Sequence, residues 1–169
     1  MKLPLHRPII GVMGPGTASD ELMAIAHTLG GAIAQQGWTV LTGGRNAGVM
    51  QAVSRGAKAQ DGWVVGILPG CDRSQLCDAV DIPILTGMGN ARNAINVLSS
   101  DVVIACGIGL GTVSEVALAL KSARPVILLA WPIHAQPLFQ DLSPDRIWIA
   151  ATPAEAIAHT QHLLQPTHP

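Results

Sequence analysis

The residues in this sequence best suited to chemistry are four glycine clusters and a few charged side chains beside them. Gly14-Pro15-Gly16-Thr17, Thr42-Gly43-Gly44-Arg45, Gly87-Met88-Gly89 and Gly109-Leu110-Gly111-Thr112 each lie between a short apolar run and an amphipathic one. Glycine lets the backbone approach an anion closely, and a helix that starts there presents free N–H groups and a positive dipole end. The chemistry this arrangement predicts is the cradling of a phosphate. The candidate ligand-binding residues are Gly14, Pro15, Gly16, Thr17, Gly43, Gly44, Arg45, Gly89, Arg92, Gly109, Leu110, Gly111 and Thr112.

Arg92 follows a glycine-rich helix entry, and its planar guanidinium suits a bidentate phosphate contact. Arg45 is open to the same role or to surface solvation, while Arg55 and Lys58 read as a solvated helix face. Glu115 has two readings. Three residues after Thr112 it completes a capping-box pattern, returning to the Thr112 backbone N–H. Alternatively it shares a cleft with Arg92 and acts on a glycosidic bond, activating water or stabilising oxocarbenium character. The six histidines lack partners at ligand or catalytic spacing and receive no role. Met13, Met50 and Met88 are expected in the core or on a pocket floor.

Other chemistries are excluded by pattern. Gly14-Pro15-Gly16 lacks the third glycine of the dinucleotide fingerprint, and no acidic residue clearly ends the second strand. No G-x-x-x-x-G-K-[ST] run occurs, which excludes a P-loop. Cys71, Cys77 and Cys106 have no metal-ligand spacing and read as free thiols, so no metal site is expected. Cys71 and Cys77 fall in a loop expected near the pocket rim.

The elements that must position these residues follow from periodicity. Strands are predicted at Ile9 to Met13, Trp38 to Leu41, Trp63 to Leu68, Ile82 to Leu85, Val102 to Ala105, Val126 to Leu129 and near Ile147 to Ile149. A helix capped by Ser19 and stopped at Gly37 follows the first strand. Further helices are predicted at Val49 to Ala59, around Arg92 and Asn96, at Val113 to Lys121 and at Pro153 to Leu164. Pro132 to Pro144 has no clear period and reads as irregular. The result is an α/β chain: one Rossmann-like domain over residues 1–169, its core about 8–165, with a doubly wound, mostly parallel sheet covered by helices on both faces.

Composition narrows the partners. Charged residues make up 12% and hydrophobic residues 49% of the chain, with a net charge of −1. No stripe of Lys and Arg is available to grip a nucleic acid, and no apolar run reaches the ~20 residues of a membrane span. The apolar surplus predicts burial in a homo-oligomer. The N-terminal residues contain no stretch of signal-peptide length, so a cytoplasmic location is expected.

Several motifs together carry a resemblance: Gly11-Val12-Met13-Gly14-Pro15-Gly16, Leu41-Thr42-Gly43-Gly44-Arg45, Leu68-Pro69-Gly70, Ala91-Arg92-Asn93, and Gly109-Leu110-Gly111-Thr112 leading to Glu115. From about Ile9 to Leu129 the chain resembles the molybdenum cofactor carrier proteins, within the LOG-like (lonely guy) Rossmann superfamily. The resemblance implies a homo-oligomer, a homotetramer or otherwise a homodimer. It also implies the molybdenum cofactor, a phosphorylated pterin, as carried ligand, no catalytic cofactor, and molybdoenzyme apoproteins as recipients. The superfamily's phosphoribohydrolases carry P-G-G-x-G-T-x-x-E and an upstream arginine, with which Glu115 and Arg92 align as a catalytic pair. This chain departs from that motif, having Gly107-Ile108-Gly109 in place of P-G-G. The resemblance therefore implies a carrier first, with a phosphoribohydrolase of nucleoside 5'-monophosphates as the alternative and a nucleotide sensor as a third reading.

Overall fold

The computed structural model describes residues 7–165. Residues 1–6 of the N-terminal stretch read for a signal peptide, His6 among them, lie outside them, as does His168. Seven strands form one sheet: β1 Ile9–Met13, β2 Thr39–Thr42, β3 Trp63–Leu68, β4 Ile82–Leu85, β5 Val102–Cys106, β6 Val126–Leu129 and β7 Ile147–Ala150. Their order is β4-β3-β2-β1-β5-β6-β7, and every neighbouring pair is parallel. β1 lies between β2 and β5, with Ile10 in register with both Val40 and Val102.

The inner strands are buried on both faces because their alternating side chains enter two separate cores, whereas the edge strand β4 is largely exposed. Val102, Ile104 and Cys106 of β5 join Ile10, Val12, Val40 and Val64 in one. This core is sealed by α1 Asp20–Gln35, α2 Gly48–Lys58 and α6 Pro153–Leu163. Val103 and Ala105 point the other way, with Met13, Leu41, Ile67 and Leu128, under α3 Asn93–Leu98, α4 Leu110–Lys121 and α5 Gln136–Leu142. A period of two in the strands, against helical periodicity in the covering layers, produces this three-layer arrangement.

Local chemistry sets the element ends. Ser19 Oγ accepts the Leu22 N–H at 3.2 Å to cap α1, and Gly37 takes φ +74° just beyond its end. α1 and α2 pack backbone to backbone at Gly30 and Gly56, where a Cβ would overlap the carbonyl oxygens of Val53 and His27.

Three sequence expectations are corrected. Pro132 to Pro144 is not irregular: 3-10 turns at Ile133–Ala135 and Pro144–Arg146 flank α5. Pro137 occupies the first turn of α5, where its missing N–H costs no intrahelical bond. Phe139 anchors the helix by packing edge-on against Trp131, with ring centroids 5.5 Å apart. The helix around Arg92 is a 3-10 turn, Gly89–Arg92, that leads into α3. α4 begins at Leu110, not Val113, with Gly109 as its cap. No helix among the described residues is long and apolar enough to cross a membrane.

Candidate functional site

In a doubly wound sheet, ligands bind beyond the carboxyl ends of the strands, where helices leave for opposite faces. Here that place is β1 and β5: α1 leaves β1 for one face and α4 leaves β5 for the other. A cleft of about 380 Å³ opens there, within the roughly 300–1,000 Å³ usual for small-molecule sites. Its walls are the turn Gly14 to Thr17, Gly43 and Arg45 after β2, and the first turn of α4 from Gly109 to Thr112. Val12, Met13 and Met50 form the apolar floor, and Asn90, Arg92, Asn93 and Glu115 complete the lining.

The turns hold one another in place. The Val49 N–H donates to the Pro15 carbonyl at 3.1 Å, stitching the start of α2 to the turn after β1. At that junction Gly48 has φ +50°, and a Cβ on it would overlap the Pro15 carbonyl oxygen, so both the backbone conformation and the space require glycine. On the opposite wall, Asn93 Nδ2 donates to Ser114 Oγ at 2.9 Å, and Ser114 Oγ donates to the Gly111 carbonyl at 2.7 Å. That chain fixes the first turn of α4 against α3.

Arg92 is 9% exposed and donates from Nη1 to the Ile67 carbonyl at 2.9 Å. Its Nε, the Nε of Arg45 and the Oγ1 of Thr112 are buried polar atoms without a hydrogen-bond partner. Such groups are costly unless something pairs with them. Burial lowers the pKa of Arg92; Glu115 opposes that shift and the nearby Arg45 adds to it. Glu115 is 6% exposed, and burial pushes its carboxyl up. The Asn96 amide, donating from Nδ2 to Glu115 Oε1 at 2.8 Å, and the positive charge of Arg92 pull the other way.

Of the candidate ligand-binding residues, Gly14, Pro15, Gly16, Thr17, Gly43, Arg45, Arg92, Gly109, Leu110, Gly111 and Thr112 all line this cleft, and Glu115 lies with them. Gly44 and Gly89 stand outside its lining. Gly44 is turned toward β3, against Gly66, and its carbonyl accepts the Cys77 N–H at 2.9 Å. Gly89 takes φ +55° and donates to the Pro69 carbonyl at 3.0 Å, shaping the turn and not the wall.

Glu115 is not part of a capping box. Because Gly109 caps α4, Thr112 already lies inside the helix, and Glu115 extends to Asn96. Met88 is 49% exposed, contrary to the expectation of a core or pocket-floor position, whereas Met13 and Met50 do line the floor. Cys77 is fully buried, and neither it nor the exposed Cys71 lines the cleft. Among the described residues no group of three or more His, Cys, Asp or Glu could hold a metal ion. Sequence reasoning missed the site roles of Asn90, Asn93 and Asn96. Asn93 and Asn96, three apart after Arg92, share a helix face, which is the signal that could have found them.

The chain is similar to solved structures along nearly its whole length. The molybdenum cofactor binding protein of the phototrophic bacterium Rippkaea orientalis is 55% identical, with a TM-score of 0.93 over 95% of this chain and 99% of that one. The molybdenum cofactor carrier protein of Chlamydomonas reinhardtii is 48% identical, with a TM-score of 0.89 over 94% of this chain and 99% of that one. A cytokinin riboside 5'-monophosphate phosphoribohydrolase of Mycobacterium tuberculosis is 37% identical over 97 residues, 56% of this chain and 52% of the enzyme. The SLOG cluster4 family matches residues 7–157, spanning every strand and the cleft that they support, and the chain belongs to that family.

Proposed function

We propose that this protein binds the molybdenum cofactor by its phosphate in the β1–β5 cleft, protects it there and transfers it without chemistry. The observation that carries this reading is the likeness to the R. orientalis cofactor-binding protein, which extends over 95% of this chain and 99% of that one. The cleft suits such cargo. Backbone N–H groups at Gly14, Gly16 and Thr17, at Gly43 and at Gly109 to Thr112 face the phosphate, and Arg45 and Arg92 supply positive charge. Thr112 Oγ1 and the two arginine Nε atoms are polar groups left buried and unpartnered around it. No catalytic cofactor takes part.

Leu98, Leu138 and Leu142 are exposed on the α3–α5 side. They support assembly into a homotetramer, or otherwise a homodimer, acting in the cytoplasm and delivering cargo to molybdoenzyme apoproteins.

One observation favours a second reading, a phosphoribohydrolase acting on nucleoside 5'-monophosphates. Arg92 and Glu115, the pair aligned with that activity, line the same cleft. Ile108 argues against it, standing in the loop before α4 where those enzymes have the first motif glycine. The test runs two assays on one preparation: reconstitution of a cofactor-free molybdoenzyme, and release of free base from AMP and cytokinin riboside monophosphates. Reconstitution without base release is the expected result. Base release that disappears in Glu115→Ala replaces the carrier with the hydrolase.

A further inference from the structure

Glu115 is an acidic side chain in a cleft otherwise arranged for an anion. Its Oε1 is already committed as acceptor of the Asn96 amide at 2.8 Å, so a proton on this carboxyl resides on Oε2. The charged group acting on it is Arg92, from the 3-10 turn before α3; Arg45, from the turn after β2, lines the same cleft and acts on Arg92. Asn96 on α3 and Ser114 on α4 are neutral. With Glu115 ionised, the two arginines leave the cleft one net positive charge; with Glu115 neutral they leave two. A phosphate monoester carries about two negative charges once its second ionisation, near about pH 6, is complete. A phosphodiester carries one. The protonated cleft matches the monoester in charge, and the neutral acid offers an O–H donor where a carboxylate would repel the phosphate oxygens.

Building on the reading of the cleft as a phosphate site, we propose that binding a phosphate dianion there is coupled to protonation of Glu115. The monoester binds as its dianion with Glu115 in the neutral acid form, so binding takes up one proton. The proton comes from solvent and goes to Oε2, and no bond in the ligand breaks. Burial of the carboxyl works in the same direction before any ligand arrives, and Arg92 works against it.

The test is calorimetric titration with AMP from about pH 7 to about pH 9, where the AMP phosphate is already dianionic. Once the free carboxyl is ionised, wild-type affinity falls by up to about tenfold per pH unit. In buffers of different ionisation enthalpy, the heat reports uptake approaching one proton per AMP. Sulfate, a dianion at every pH used, shows the same slope, which removes titration of the ligand as the cause. Glu115→Gln keeps an oxygen for the Asn96 amide and binds AMP with a flat pH profile, overtaking wild type by about tenfold or more at the alkaline end. The wild-type slope is read independently of the variant, so the test survives a variant that does not fold. A flat wild-type profile, or an equal slope in Glu115→Gln, overturns the proton coupling and leaves the phosphate reading standing. Failure of AMP and sulfate to bind at any pH overturns both.

Discussion

Arg92 occupies the space that a side chain on Gly43 would need. A Cβ at position 43 would overlap Nη1 of Arg92 and approach Met50 Sδ to 2.7 Å. The guanidinium reaches past this glycine to the Ile67 carbonyl, so the end of β2 and the end of β3 jointly determine where the buried charge of the cleft sits.

Gly43→Ala therefore separates binding from folding. Gly43 has no left-handed backbone requirement, and the crowded atoms are the far ends of two long side chains. The variant is expected to stay folded, with its melting temperature lowered by a few degrees. AMP affinity falls by about tenfold, equivalent to about 1.4 kcal/mol, as the guanidinium is displaced. Paired thermal unfolding and calorimetric titration check this. Unchanged affinity would show that Arg92 is not held in place by the missing side chain.

The raised pKa of Glu115 predicts how stability without ligand depends on pH. Below the ordinary carboxyl value of 4.5, both the folded and the unfolded chain carry the proton, and burial is least costly. As pH rises through 4.5 the unfolded chain releases its proton while the folded chain retains it, so stability falls until the raised native value is passed. Glu115→Gln removes this dependence. The variant should be more stable than wild type at pH 7 and lose that advantage below about pH 4, as read from denaturant unfolding across the range.

The three cysteines should differ in reactivity. Burial pushes the Cys106 thiol up to about 12, and Cys77 is also raised, with burial the largest cause. Cys71 is exposed. At pH 8, iodoacetamide is expected to label Cys71 in the native protein, and Cys77 and Cys106 only after denaturation, because the thiolate is the reacting species. Peptide mass spectrometry reads the result directly, and rapid native labelling of Cys106 would show that the inner core opens.

Much of this architecture was legible in the residues. Strong apolar runs bounded by glycine identify the strands, and the glycine turns identify the edge that carries the cleft. What escaped was set by tertiary contact. The stretch after Pro132 forms α5 because Phe139 has Trp131 to pack on, a pairing invisible to local periodicity. Thr112 resembles a helix cap in one dimension, yet Gly109, three residues earlier, starts the helix and turns Glu115 toward Asn96. Gly44 and Gly89 have the composition of cleft glycines, but Gly44 packs against Gly66 and Gly89 shapes the turn that carries Asn90 and Arg92 into the lining. Asn93 and Asn96 share a helix face by their spacing, but their partners Ser114 and Glu115 come into view once α3 is laid against α4.

The placement of β1 between β2 and β5 also has a temporal side. The β2 partner follows β1 closely along the chain, whereas the β5 partner arrives only after β3, β4 and α3 have been made. Joining Ile10 to Val102 closes a long loop, a step that slows folding. On the ribosome the β1–β2 half of the cleft can form early, but its facing wall at Gly109 to Thr112 is synthesised after β5. A nascent chain thus has no complete cleft until the first turn of α4 has been built.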